Sequence, residues 1–146
     1  MNCQQSLHLM ENFRLMGMDY GEVRIGIAIS DPLQIFSKPY KVLQNNENDV
    51  FGEISEIIEK ENVEKIILGL PVNFDGNDTQ KTKEVREFAK ILQTKIKVPL
   101  EFSDERYTSA DANDLLKKMG YSPQEGRKHI DKIAAALILK NYLETR

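Results

Sequence analysis

Apolar and polar positions follow two periods along this chain of 146 residues, and the switches between them predict the elements. Arg14 to Met18 is mostly apolar and ends in Asp19-Tyr20-Gly21, a first strand running into a polar turn. From Val23 to Ser30, β-branched residues recur at Val23, Ile25, Ile27 and Ile29, the two-residue period of a strand. The turn Tyr20-Gly21-Glu22 predicts a hairpin, with Gly21 supplying a positive φ. A third strand is expected around Lys38 to Leu43, after the Asp31-Pro32 turn. The period then lengthens: Val50, Phe51, Ile54, Ile57 and Ile58 form a helical stripe within Asn48 to Asn62. Ile66 to Leu70 reads as a buried strand stopped by Pro71. Asp78 is expected to cap a second helix striped by Val85, Phe88, Ala89, Leu92 and Ile96, and Val98 to Phe102 is another strand. Thr108 and Asp111 open a helix that Gly120 closes, and a last helix runs from about Arg127 to Leu143.

In order these elements read β-β-β-α-β-α-β-α-α. A hairpin start followed by β-α units implies an α/β fold with a mixed five-stranded sheet, three antiparallel strands then two parallel, and helices on both faces. The length suits one domain, assigned to residues 14–146, with residues 1–13 a flexible leader outside the fold. Apolar residues make up 40% and charged residues 29%, a soluble globular profile with no apolar run long enough to cross a bilayer. The single cysteine, Cys3, leaves no internal disulfide and fits a reducing compartment, so cytoplasm is expected. One cysteine and two histidines exclude the usual zinc sites. A net charge of −3 is neutral evidence on nucleic acid, because acids gathered around a cation change the local field.

In sheets of this kind the functional crevice lies beyond the carboxyl ends of the parallel strands. Asp19 ends the first strand, and Asp104 and Glu105 follow the strand ending at Ser103. Asp131 is placed in the first turn of the last helix, where Ala134 and Ala135 let that helix approach the sheet. Converging carboxylates repel, and a hard divalent cation, Mg²⁺ or Mn²⁺, relieves that cost. Such ions activate water and stabilise the leaving oxygen at phosphorus, which is why a nuclease of this kind needs acids and no histidine. Each acid also has a bland reading: a turn residue for Asp19, a helix-start acid for Asp131, and an ion pair with Arg106 for Glu105.

Four motifs then carry a resemblance. They are Gly17-Met18-Asp19-Tyr20-Gly21 with Arg24, Gly26 and Ala28; Gly69-Leu70-Pro71 with Asp75-Gly76; Asp104-Glu105-Arg106 with Thr108 and Ala110; and Asp131 with Ala134-Ala135 before Ile138-Leu139 and Tyr142-Leu143. In order and spacing the chain from Arg14 to Leu143 resembles the YqgF/RuvX family of Holliday junction resolvases or pre-16S rRNA nucleases, within the RNase H-like superfamily. The resemblance implies an RNase H-like fold and Asp19, Glu105 and Asp131 as metal-binding catalytic acids. It implies a Mg²⁺- or Mn²⁺-dependent endonuclease or nuclease acting at the 5′ end of pre-16S rRNA, or alternatively resolving four-way DNA. The expected partners are pre-rRNA or branched DNA and ribosomal precursor particles, with no membrane, as a monomer or homodimer. Tyr107 stands where relatives often carry leucine, and the leader is longer than the family's usual start.

Around the acids, Arg24 and Arg106 are candidates for substrate phosphates, and Lys128 and Lys132 flank Asp131 as a basic rim. The loop of Gly69-Leu70-Pro71 with Asp75-Gly76 offers backbone N–H groups to a phosphate or is simply a turn. Tyr20 and Tyr107 can stack on bases or pack. Lys81, Lys83 and Arg86, mixed with Glu84 and Glu87, read as an ordinary helix surface. A rival from the same ancestry, an actin-like ATPase, needs two lobes, and this chain supplies one. A rival of another class is a non-catalytic protein binding rRNA or the transcription machinery, which has no need of converging acids.

Overall fold

The computed structural model describes residues 13–45, 49–73, 75–105, 114, 116–118 and 120–146, with the backbone alone for residues 127 and 128. Strand β1 (Arg14–Asp19) turns back into β2 (Arg24–Ser30), which turns back into β3 (Ser37–Gln44). Helix α1 (Val50–Lys60) leads into β4 (Val63–Pro71) and helix α2 (Gln80–Lys95) into β5 (Leu100–Glu105). The long helix α3 (Pro123–Thr145) ends the chain. The five strands lie in the order β3-β2-β1-β4-β5, antiparallel from β3 to β1 and parallel from β1 to β5. This is the mixed sheet that the sequence predicts.

Alternation sorts the side chains by face. Met16, Met18, Ile25, Ile27, Ile66 and Leu68 pack under the apolar stripes of α1 and α2. Leu15, Ala28 and Ile67 turn the other way, where Ala135, Ala136, Ile138 and Leu139 of α3 close a second core. On that side the strands also lack side chains at key points. A Cβ on Gly17 would lie 2.6 Å from the Ala135 carbonyl oxygen, and one on Gly26 only 1.9 Å from that of Asp131. The sequence pointed to Ala134 and Ala135 for a close approach; the glycines opposite are its other half.

Several local expectations are corrected. Gly21 does not have a positive φ; its role is space, since a Cβ there would sit 2.5 Å from the Arg24 carbonyl oxygen. Helix α2 is capped by Thr79 in a capping box with Thr82, while Asp78 pairs with Arg86 at 3.1 Å. Strand β5 continues to Glu105, because its pairing with β4 extends to Pro71. Helix α3 begins at Pro123 behind a Ser122 cap, so Asp131 lies in its third turn. The helix-dipole explanation for Asp131 therefore lapses, since that field fades within the first turn. Of the helix expected from Thr108 to Gly120, residues 114 and 116–118 are helical and Gly120 has φ 82°. Thr108, Asp111, Tyr107 and the leader up to residue 12 lie outside the described residues. No helix among the described residues is long and apolar enough to cross a membrane.

Candidate active site

Strands β1, β4 and β5 run the same way, so Asp19, Pro71 and Glu105 end on one edge of the sheet. In β5 the two-residue period decides between the adjacent acids. Glu105 is buried, at 8% exposure, whereas Asp104 is exposed on the opposite side. The Glu105 stem lies across Gly69 of β4, where a Cβ would be 3.3 Å from Glu105 Cγ and 2.4 Å from Ile138 Cδ1. The missing side chain makes room for a carboxyl group under α3. Asp19 shares that face by its alternation with Leu15 and Gly17.

Burial pushes the Asp19 carboxyl up to about 6, opposed by the charge of Lys81 and reinforced by that of Asp131. Glu105 is pushed up to about 7, again chiefly by burial, with Asp19 and Asp104 adding to it. Hydrogen bonds from Ser103 Oγ, at 3.2 Å, and from the Asn141 side chain oppose the rise. Neither acid makes an ion pair among the described residues. Two buried carboxylates, the charge of one felt at the other and neither ion-paired among the described residues, are chemically suited to a hard divalent cation.

Asp131 reaches the same region because Gly26 lets the backbone of α3 lie on β2. Its Oδ2 accepts from Arg24 Nε at 2.8 Å, with the Arg24 side chain 54% exposed and that of Asp131 24% exposed. As placed, no three described Asp, Glu, His or Cys side chains form a group that could hold one metal ion. The donor set fits a divalent cation by its chemistry, with Asp131 engaged by Arg24.

Among the other residues singled out, Lys132 is partly buried on α3 beside Asp131. Arg106 lies outside the described residues, as does the side chain of Lys128. In the loop after β4 the Asn73 Oδ1 accepts from the N–H groups of Asp75 and Asn77 at 3.1 and 2.9 Å, and Gly76 N–H bonds the Asn73 carbonyl at 2.9 Å. These N–H groups are thus turned inward, which favours the turn reading over the phosphate reading. His129 packs on Tyr121, with ring centroids 5.0 Å apart. One residue was missed. Lys81, taken for helix surface, has its Nζ 5.9 Å from the Tyr20 ring centroid and its charge felt at Asp19. A signal existed: α2 follows the loop leaving the carboxyl end of β4, so its first turn is bound to border this edge.

Comparison with known proteins adds to this geometry. Residues 13–145 match a family model described as "RuvX: Holliday junction resolvase". A protein of Maridesulfovibrio salexigens is 43% identical over 131 residues, covering 89% of this chain and 97% of the relative. One of Syntrophomonas wolfei is 41% identical over 133 residues, covering 90% and 94%. Each bears the name "Putative pre-16S rRNA nuclease". Among solved structures, Thermus thermophilus RuvC matches with TM-score 0.54 and 11% identity over 91% of this chain and 98% of that one. RuvC of the same organism in complex with a Holliday junction substrate matches with TM-score 0.53 and 12% identity, covering 92% and 95%. The last two likenesses bear on the fold, and they agree with the one expected.

Proposed function

The chain belongs to the RuvX family, and on that premise we propose that it is a Mg²⁺- or Mn²⁺-dependent nuclease whose catalytic and metal-binding acids are Asp19, Glu105 and Asp131. The observation that carries this reading is the pair Asp19 and Glu105, both buried at the carboxyl edge, with the charge of Asp19 felt at Glu105 and neither carboxylate ion-paired among the described residues. When bound, a divalent ion there supplies an activated water and neutralises charge on the leaving oxygen. Asp19 and Glu105 hold oxygen donors toward α3, and Gly69 keeps the space of Glu105 open. Asp131 joins them when it parts from Arg24, which leaves the guanidinium free for a substrate phosphate. Arg106, Lys128 and Lys132 complete the basic rim in this reading. The substrate is proposed to be the 5′ region of pre-16S rRNA, as the names of the relatives suggest, in the cytoplasm and on ribosomal precursor particles. A four-way DNA junction is the second reading, favoured by the family description.

The test sets the protein with Mn²⁺ or Mg²⁺ against precursor rRNA and a four-way DNA junction in parallel. Cleavage of one substrate is expected to fall by at least about 100-fold in Asp19→Asn, Glu105→Gln and Asp131→Asn. Variants that cut as fast as wild type would remove the metal-site assignment. Tight RNA binding with no cleavage by the wild type would point to the binding-protein rival.

A further inference from the structure

Tyr20 directly follows Asp19 but, by alternation, faces the α1/α2 side of the sheet. There it begins a row of rings, 4.5 Å from Phe88, which in turn lies 5.7 Å from Phe51. The row lines a groove of about 420 Å³ whose walls carry the side-chain amides of Asn45 and Gln80. Asn45 is held by donating from Nδ2 to the Gly21 carbonyl at 2.8 Å, which orients its own carbonyl oxygen. Charge varies along the groove. Lys81 lies over the Tyr20 ring with its charge felt at Asp19, Lys83 lines the groove in the same first turn of α2, and Glu84 and Glu87 follow further along the helix. Lys95 Nζ lies 5.7 Å from the Phe51 ring centroid at the far end, so cations stand at both ends of the row, and the middle, walled by Glu84 and Glu87, suits a flat, uncharged group with hydrogen-bonding edges. A nucleobase has that chemistry, and it has to be unpaired to leave its stack and enter.

We infer that this groove is a subsite for one unpaired nucleotide adjoining the phosphodiester at the carboxylate edge, with Lys81 on its phosphate and the Tyr20–Phe88–Phe51 row beside its base. The subsite rests on the nuclease reading for what adjoins it. Its own ligand is a single-stranded segment, which narrows the substrate class to nucleic acid with unpaired residues at the cut.

The experiment measures fluorescence anisotropy of the full chain with a labelled single-stranded RNA of about eight nucleotides, in EDTA so that binding is read without cleavage. An otherwise identical strand with one abasic position, walked along its length, is expected to bind about tenfold more weakly at one position. Lys81→Gln is expected to weaken binding about fivefold and to reduce the slope of log affinity against log salt by about 0.7. Tyr20→Leu is expected to weaken the intact strand and to abolish the difference from the abasic one. Melting temperatures check that each variant is folded, and the abasic series on wild-type protein stands whether or not Tyr20→Leu folds. Equal binding of intact and abasic strands at every position overturns the subsite, even if Lys81→Gln weakens both. Cleavage that needs Asp19, alongside such equal binding, leaves the nuclease reading standing without the subsite. The expected binding ratios without metal-dependent cleavage do the reverse.

Discussion

The two faces of the sheet are built on opposite terms. Toward α1 and α2 the strands present Met16, Met18, Ile25, Ile27, Ile66 and Leu68, all fully buried and large. Toward α3 they present Gly17, Gly26, Ala28 and Gly69, with Leu15 and Ile67 as the large side chains between them. Large side chains keep a helix at a distance and bury much apolar area, which is where most stability is gained. Bare backbone lets a helix lie on the strands, so the short side chain of Asp131 reaches β2 and its charge is felt at Asp19. One face holds the fold together; the other sets distances between charges.

The comparison is broken most severely at Gly26. Gly26→Ala puts a methyl group 1.9 Å from the Asp131 carbonyl oxygen, so either α3 or β2 has to move. We expect a loss of about 3 kcal/mol in stability together with loss of cleavage. Ile27→Ala, one residue on and fully buried in the thick core, is expected to cost about 3 kcal/mol through its cavity. It should nevertheless cleave at a normal rate per folded molecule. Urea unfolding and cleavage at low temperature compare the two, and equal effects on cleavage would erase the division of labour.

A second effect distinguishes the charged edge from the apolar core by pH. The folded-state values of Asp19 and Glu105, about 6 and about 7, lie above their ordinary values of 3.8 and 4.5. Between those limits the folded chain keeps protons that the unfolded chain releases, so stability falls as pH rises. Their contribution is fully present below about pH 4 and lost above about pH 7, a decline on the order of 3 kcal/mol for each acid. In EDTA the urea midpoint should therefore drop from pH 5 to pH 8, and the drop should shrink in the Asp19→Asn, Glu105→Gln double variant. Mg²⁺ at pH 8 should raise the wild-type midpoint. A double variant with the full drop would show that other groups cause it.

The smallest expected effect separates stability from function at Arg24. Its ion pair with Asp131 is half-exposed, so Arg24→Gln should change stability by less than about 1 kcal/mol. KM for the cleaved substrate should rise about tenfold as a charge-assisted phosphate contact is lost. Steady-state kinetics read this directly, and an unchanged KM would limit Arg24 to holding Asp131.

Much of this was legible in the chain. The alternation at Ile25, Ile27 and Ile29 and the stripe of Val50, Ile54 and Ile57 are local periods, and each became the buried side of its element. The cap of α2 was misread because Asp78 and Thr79 are both good caps, and the Arg86 partner that engages Asp78 lies two turns away. The start of α3 was placed late because Pro123 was not read as a first-turn residue. Lys81 was hidden among charges of both signs, whose neighbours only the fold reveals.

By itself the sequence determined the elements, their order and the acids available, because these depend on periods and turn residues a few positions apart. Only the tertiary structure decided which acid of Asp104 and Glu105 turns toward α3, that Arg24 holds Asp131, and that Lys81 stands by Asp19. Those outcomes depend on strand register and on how close a distant helix can come, and the backbone contact across Gly17 and Gly26 sets that closeness.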